Sequence, residues 1–80
     1  MNGSELLRKW RLDRGLTQAQ LAKAAGVTDN AISQYERGIK TPRIAVCIRL
    51  SKALGLHPDV LLNAFHGVSL PDSPAARVAR

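Results

Sequence analysis

The stretch TQAQLAKAAGVTDNAISQYERG, residues 17 to 38, decides the fold. It opens on Thr17, whose hydroxyl can cap a helix, and Gln20 follows three residues later, where its side chain reaches back to the cap. That capping box predicts a helix from Gln18 to about Ala25, with Leu21 and small alanines turned inward. Gly26 supplies the left-handed backbone position needed to end one helix and begin another within about three residues. Ala22 is small enough to let the two helices approach at a steep angle. Thr28 caps a third helix from Asp29 to Arg37, which Gly38 terminates. Two helices joined by so short a turn make a helix-turn-helix.

The third helix has two unlike faces. At ~100° per residue, Ala31, Ile32 and Tyr35 fall on one side, while Asp29, Asn30, Ser33, Gln34 and Arg37 cover the opposite arc. From Thr28 to Glu36 there is no lysine. The polar groups there are the kind that make directional hydrogen bonds. Asn and Gln pair bidentately with adenine in the major groove, Ser bonds either kind of base, and Asp accepts from the cytosine amino group. The arc is therefore a candidate base-reading surface, and a solvated helix face is the other reading of it. Asp29 is repelled by phosphate, so the grip must lie elsewhere. The backbone amides opening the second helix, at Thr17 and Gln18, are donors at the positive end of a helix dipole. The loop RGIKTPR, residues 37 to 43, brings Arg37, Lys40 and Arg43 to the same side, where they suit phosphate contacts that position the protein. Arg8, Lys9, Arg14, Lys23, Arg49 and Lys52 are read as solvated charges without a site.

Helix signals continue on both sides of this unit. Ser4 is expected to cap a first helix running to about Arg14, with Leu6, Leu7 and Trp10 as its apolar face and Gly15 ending it. Thr41 and Pro42 read as a cap and a first-turn proline for a fourth helix to Leu54, with Ile44, Cys47, Leu50 and Leu54 on one stripe and Gly55 closing it. Pro58 opens a fifth helix carrying Val60, Leu61, Leu62 and Phe65. The expected class is all-α, with residues 1–66 as the domain. Residues 67–80, GVSLPDSPAARVAR, are expected as a mobile tail, or else as a segment that docks onto a protein partner.

Composition narrows the function. Eighty residues make one domain, and a chain this short buries only about 60% of its unfolded surface, so oligomerisation is a common remedy. Lys and Arg number 12 against 6 Asp and Glu, a net charge of +6 that points to nucleic acid or an anionic surface. An apolar fraction of 45% argues against wholesale disorder. The single cysteine, Cys47, excludes an intramolecular disulfide and a cysteine-based zinc site. His57 and His66 have no third ligand in view and are read as capping or surface residues, so no metal and no cofactor are expected. Asn2, Gly3 and Ser4 do not read as the start of a signal peptide, and the apolar runs fall far short of the ~20 residues of a membrane span. The expected compartment is the cytoplasm, with no membrane partner. No nucleophile–base pair or phosphate loop suggests an enzyme.

The residues also carry a family likeness. LRKWRLDRGLTQAQLAKAAGVTDNAISQYERGIKTP, continued by LSKALGLHPDVLL, resembles the lambda-repressor and Cro-type helix-turn-helix family, called the XRE family, over residues 6 to 62. RGLTQAQLA, GVT, IS..E.G and ALGL....LL are the specific pieces, diagnostic together rather than singly. The resemblance implies a five-helix lambda-repressor-like domain whose third helix enters the major groove of double-stranded DNA. It implies base contacts from Asp29, Asn30, Ser33 and Gln34, with Gln18 beside them, and an ion pair between Arg11 and Glu36. Two positions depart from the pattern. Trp10 stands where an aliphatic residue is usual, and Asp29 stands where an amide is frequent, so no operator sequence carries over. The implied function is a sequence-specific transcriptional regulator, a repressor acting as a homodimer on a palindromic operator, bacterial or phage-encoded and nucleoid-associated. Val60, Leu62 and Phe65 are candidates for the dimer interface or for the core. The alternative is an antitoxin-like or other protein-interaction module on the same fold, with the tail holding its partner.

Overall fold

The computed structural model of this chain describes residues 2–70. Its helices are α1 (Gly3–Asp13), α2 (Gln18–Ala25), α3 (Asp29–Glu36), α4 (Ile44–Ala53) and α5 (Val60–His66), with no strand among the described residues. α2 starts and stops where the capping signals put it, and α3 starts at Asp29 as expected but ends at Glu36, with the expected last residue Arg37 as its C-cap. Thr17 Oγ1 accepts from the Gln20 amide at 3.0 Å, and Gln20 Oε1 accepts from the Thr17 amide at 2.9 Å. Gly26 takes φ 71°, and the chain re-enters a helix at Asp29 once Thr28 Oγ1 has accepted from the Ala31 amide. The positive φ is why glycine serves this turn, since a Cβ there would crowd the following carbonyl.

α2 packs on α3 and α4, α4 on α5, and α1 closes the bundle against α3 and α5. The core they enclose is small: Leu7, Leu21, Ala22, Ala25, Ile32, Val46, Cys47, Leu50, Leu54, Leu61 and Leu62. Trp10, Leu16, Tyr35 and Phe65 are packed partly buried around it. One buried hydroxyl crosses between helices, where Ser51 Oγ accepts from the Leu61 amide at 3.0 Å and satisfies an otherwise orphan donor near the start of α5.

Three helix starts differ from expectation. Asn2 rather than Ser4 caps α1; its backbone is extended, and its Oδ1 accepts from the Glu5 amide at 2.9 Å, which draws Ser4 into the first turn. α4 begins at Ile44, two residues after Pro42. Pro42 lies fully buried, and its carbonyl accepts from Cys47 Sγ and His66 Nε2. The later start turns Ile44 outward, 53% exposed, and moves the buried stripe to Val46, Cys47, Leu50, Ser51 and Leu54. Pro58 sits in a turn closed by the Val60 amide on the His57 carbonyl, and α5 follows it. Beyond residue 66, Leu70 lies partly buried against the core. Residues 71–80 of the expected tail are outside the described residues.

α1 and α5 approach closely because Gly3 has no side chain. A Cβ there would lie 2.7 Å from Phe65 Cδ1 and 2.8 Å from its Cγ. Alanine would gain up to ~1 kcal/mol of helix preference, whereas overpacking costs ~1–3 kcal/mol. The ring is struck near its base rather than at a flexible tip, so the clash wins. Gly3→Ala is expected to lower the melting temperature, with Phe65→Leu recovering part of the loss in the double variant. A melt at or above the parent's would show that the ring moves aside freely.

Burial pushes the Cys47 thiol up from 9.0 to about 11. The unfolded chain ionises first, so the contribution of the neutral thiol is complete below pH 9 and is lost as pH rises toward about 11. Urea melts between pH 8 and 11 are expected to show this decline, and Cys47→Ala is expected to flatten it.

Candidate nucleic-acid interface

The surface that combines the candidate reading and gripping groups is built from α3, the start of α2 and the loop that follows α3. Ile32 is fully buried and sets the rotation of α3. With that face inward, Asp29, Asn30 and Arg37 are exposed, and Ser33 and Gln34 are half-buried. Asp29 is partly engaged, because its Oδ1 accepts from the Asn30 amide at 2.9 Å and so complements the positive end of the helix.

The donors at the start of α2 lie one residue later than the sequence suggests. The capping box occupies the Thr17 amide, and the Gln20 amide is taken by the Thr17 hydroxyl. The Gln18 and Ala19 amides carry no hydrogen bond among the described residues. Thr17 can still contribute, since its hydroxyl accepts in the cap and keeps its own proton to donate. Ala19 was not legible as a donor from composition, but the capping box itself was the available signal: once the box is closed, the free amides are those between its two residues.

Arg37, Lys40 and Arg43 are exposed, and none is in an ion pair among the described residues. Lys9, by contrast, is paired with Asp13 at 3.0 Å. The loop leaves α3 in a defined path, because the Gln34 carbonyl accepts from the Ile39 amide at 3.0 Å and the Lys40 amide at 3.3 Å.

Behind this surface lies the pair of Arg11 and Glu36. Nε donates to Oε2 at 2.6 Å and Nη2 to Oε1 at 3.0 Å, a bidentate fork. The side chains are 9% and 4% exposed. Nη1 donates to the Leu16 carbonyl at 2.7 Å, and Gln18 Nε2 donates to Glu36 Oε1 at 3.2 Å. Hydrogen bonding to Glu36 raises the Arg11 guanidinium above its ordinary value, against the opposing effect of burial. Gln18 thus has a structural tie that its type and spacing did not announce. Of the interface candidates on α5, Leu62 is 1% exposed and offers no surface to another chain, while Val60 and Phe65 are half-buried.

Among the described residues there is no group of three potential metal ligands, and no helix is long and apolar enough to cross a membrane. The chain matches the helix-turn-helix family over residues 7–61 and belongs to it, in its XRE-type branch. The family and the relatives are DNA-binding transcriptional regulators rather than enzymes. The chain is 34% identical over 62 residues to the prophage-derived HTH-type transcriptional regulator YonR of Bacillus subtilis, covering 78% of this chain and 57% of that one. It is 43% identical over 59 residues to repressor protein C2 of Salmonella phage P22, covering 74% of this chain and 27% of the repressor. The P22 c2 repressor solved in complex with the synthetic operator 9T superposes with a TM-score of 0.71 at 39% identity, over 76% of this chain and 92% of that one. The chain therefore spans about half the length of the first of these relatives and about a quarter of the second.

Removing one member of a buried ion pair strands the other, at a cost of ~3–5 kcal/mol. Glu36→Ala is expected to lose stability on that scale in urea unfolding. Arg11→Met combined with Glu36→Leu is expected to lose much less than the sum of the two single changes.

Proposed function

We propose that this chain is a sequence-specific transcriptional repressor that binds double-stranded DNA as a homodimer, with α3 in the major groove. The observation that carries the reading is the outer face of α3. It offers Asn30, Ser33 and Gln34 beside Asp29, with unpaired cations and free backbone amides on either flank. The likeness to the P22 c2 repressor bound to an operator supports the same docking.

In this reading Asn30 and Gln34 pair with adenine edges, Ser33 bonds a neighbouring base, and Asp29 accepts from a cytosine amino group. Gln18, held by Glu36, keeps its carbonyl and one amide hydrogen for a base or phosphate at the edge of the same site. Thr17, the amides of Gln18 and Ala19, and the side chains of Arg37, Lys40 and Arg43 hold phosphates. One reading helix covers only a few base pairs. A dimer would join two half-sites about 34–36 Å apart, so the operator would be palindromic. Binding DNA in this way would place the protein at the nucleoid, in the cytoplasm.

The deciding experiment is selection of bound duplexes from a random pool. A palindromic motif with half-sites about one helical turn apart is expected; a pool that shows no enrichment would overturn sequence-specific binding, and enrichment of a single half-site would overturn the homodimer. On the selected operator, Gln34→Ala is expected to cost ~1–3 kcal/mol and to relax preference at one base pair. Lys40→Ala and Arg43→Ala are expected to weaken binding to all sequences alike, each reducing the salt slope by about one unit.

A further inference from the structure

His66, the last residue of α5, makes a contact that neither the core nor the interface explains. Its Nε2 lies 2.7 Å from the carbonyl oxygen of Pro42. A carbonyl only accepts, so the imidazole donates. The same carbonyl also accepts from Cys47 Sγ at 3.4 Å, and the Pro42 ring is fully buried. Pro42 is therefore held through its ring, by a thiol on α4, and by an imidazole 24 positions away on α5.

Position in the loop gives this its meaning. Pro42 stands between Lys40 and Arg43, two of the groups assigned to phosphate. The α3 end of the loop is fixed by the Ile39 and Lys40 amides on the Gln34 carbonyl. The α4 end is fixed by the Arg43 carbonyl, which accepts from the Cys47 amide at 3.0 Å. Between them Pro42 has no N–H of its own, so this stretch is held through its carbonyl and its ring. His66 is the only hydrogen-bond donor to this loop from outside α3 and α4 among the described residues.

We propose that His66 is a positioning residue for DNA binding: its hydrogen bond to the Pro42 carbonyl fixes the backbone from which Lys40 and Arg43 reach the phosphates. The inference rests on the reading of that loop as a phosphate contact. Long cationic side chains reach a phosphate from many rotamers, and the free energy lost in ordering them grows when their roots also move. Fixing the root lowers that loss before DNA arrives. It acts on all sequences alike, because phosphate contacts carry no base information.

The test compares His66→Leu, which removes the donor, with His66→Gln, whose terminal amide places an N–H near the reach of Nε2. Affinity for the selected operator and for an unrelated duplex is measured across a salt series. The measurements are made where thermal melts show each variant folded, with Lys40→Ala and Arg43→Ala alongside. His66→Leu is expected to weaken both DNAs by roughly two- to tenfold with base preference unchanged, and His66→Gln to recover most of the loss. Parental affinity in His66→Leu, with Lys40→Ala and Arg43→Ala weakened, would overturn the positioning role while leaving the loop contact standing. Equal weakening in His66→Gln and His66→Leu would overturn the hydrogen bond as its means. If Lys40→Ala and Arg43→Ala bind like the parent, the phosphate reading of the loop fails and the role of His66 fails with it. Should His66→Leu not fold, His66→Asn serves as the second variant, since its shorter amide falls short of Pro42. Loss in Asn but not in Gln supports the proposal, and equal affinities overturn it.

Discussion

The ion pair of Arg11 and Glu36 is the constraint on which the arrangement of the proposed reading surface depends. Glu36 is the last residue of α3, where the helix dipole presents its negative end and a buried carboxylate is doubly unfavourable. It is tolerated there because three donors converge on it: two from the Arg11 guanidinium and one from Gln18 Nε2. Arg11 lies in the last turn of α1, where a cation suits the dipole, and its remaining arm holds the Leu16 carbonyl just ahead of α2. A single cluster thus joins the end of α1, the start of α2 and the end of α3. Buried ion pairs add little net stability, because desolvation offsets the attraction. Their bidentate geometry instead permits few alternatives. What this pair fixes is the relation between the α2 amides and the outer face of α3, the two surfaces proposed to meet one groove together.

Most of the fold was legible because the chain signals its local structure redundantly. Thr17, Gln20, Gly26 and Thr28 define the ends of α2 and the start of α3 through short-range hydrogen bonds, which sequence spacing can specify. The starts of α1, α4 and α5 were less legible. At α1 both Asn2 and Ser4 are capping types, and the choice went to the residue whose backbone is extended. At α4 Thr41 and Pro42 form a good local start, but the Pro42 carbonyl is taken by Cys47 Sγ five residues on and by the distant His66, and the helix begins at Ile44. Spacing within a segment cannot reveal a partner 24 residues away. The same limit explains the site. The composition of the α3 arc showed which residues face outward, whereas the Gln18–Glu36 bond and the Pro42–His66 bond appeared only once the helices were packed.

A core of this size leaves little margin, and the chain handles its polar groups accordingly. Ser51 is fully buried, yet its oxygen closes an α5 amide. Arg11 is buried, yet all three guanidinium nitrogens have an acceptor. Buried polar groups left unsatisfied cost ~1–3 kcal/mol each, a large share of what a small single-domain core supplies. These groups also join helices that are distant in sequence, so the bonds that remove the penalty set helix angles as well.

The absence of lysine from the outer face of α3 follows from the same economy of roles. A cation on the reading face would attract every sequence and would compete with the directional bonds that tell one base pair from another. In the proposed complex, placing Arg37, Lys40 and Arg43 just beyond the helix separates attraction from discrimination, but it moves attraction onto a loop. A loop grips well only if its backbone is as fixed as a helix. The chain meets that requirement by burying the Pro42 ring and by bonding its carbonyl to α4 and α5. On this argument α5 is more than a cover for the core. Its last residue hydrogen-bonds the cationic loop, so that α5, which packs on α4 and α1, is coupled to the side of the molecule proposed to meet the DNA backbone.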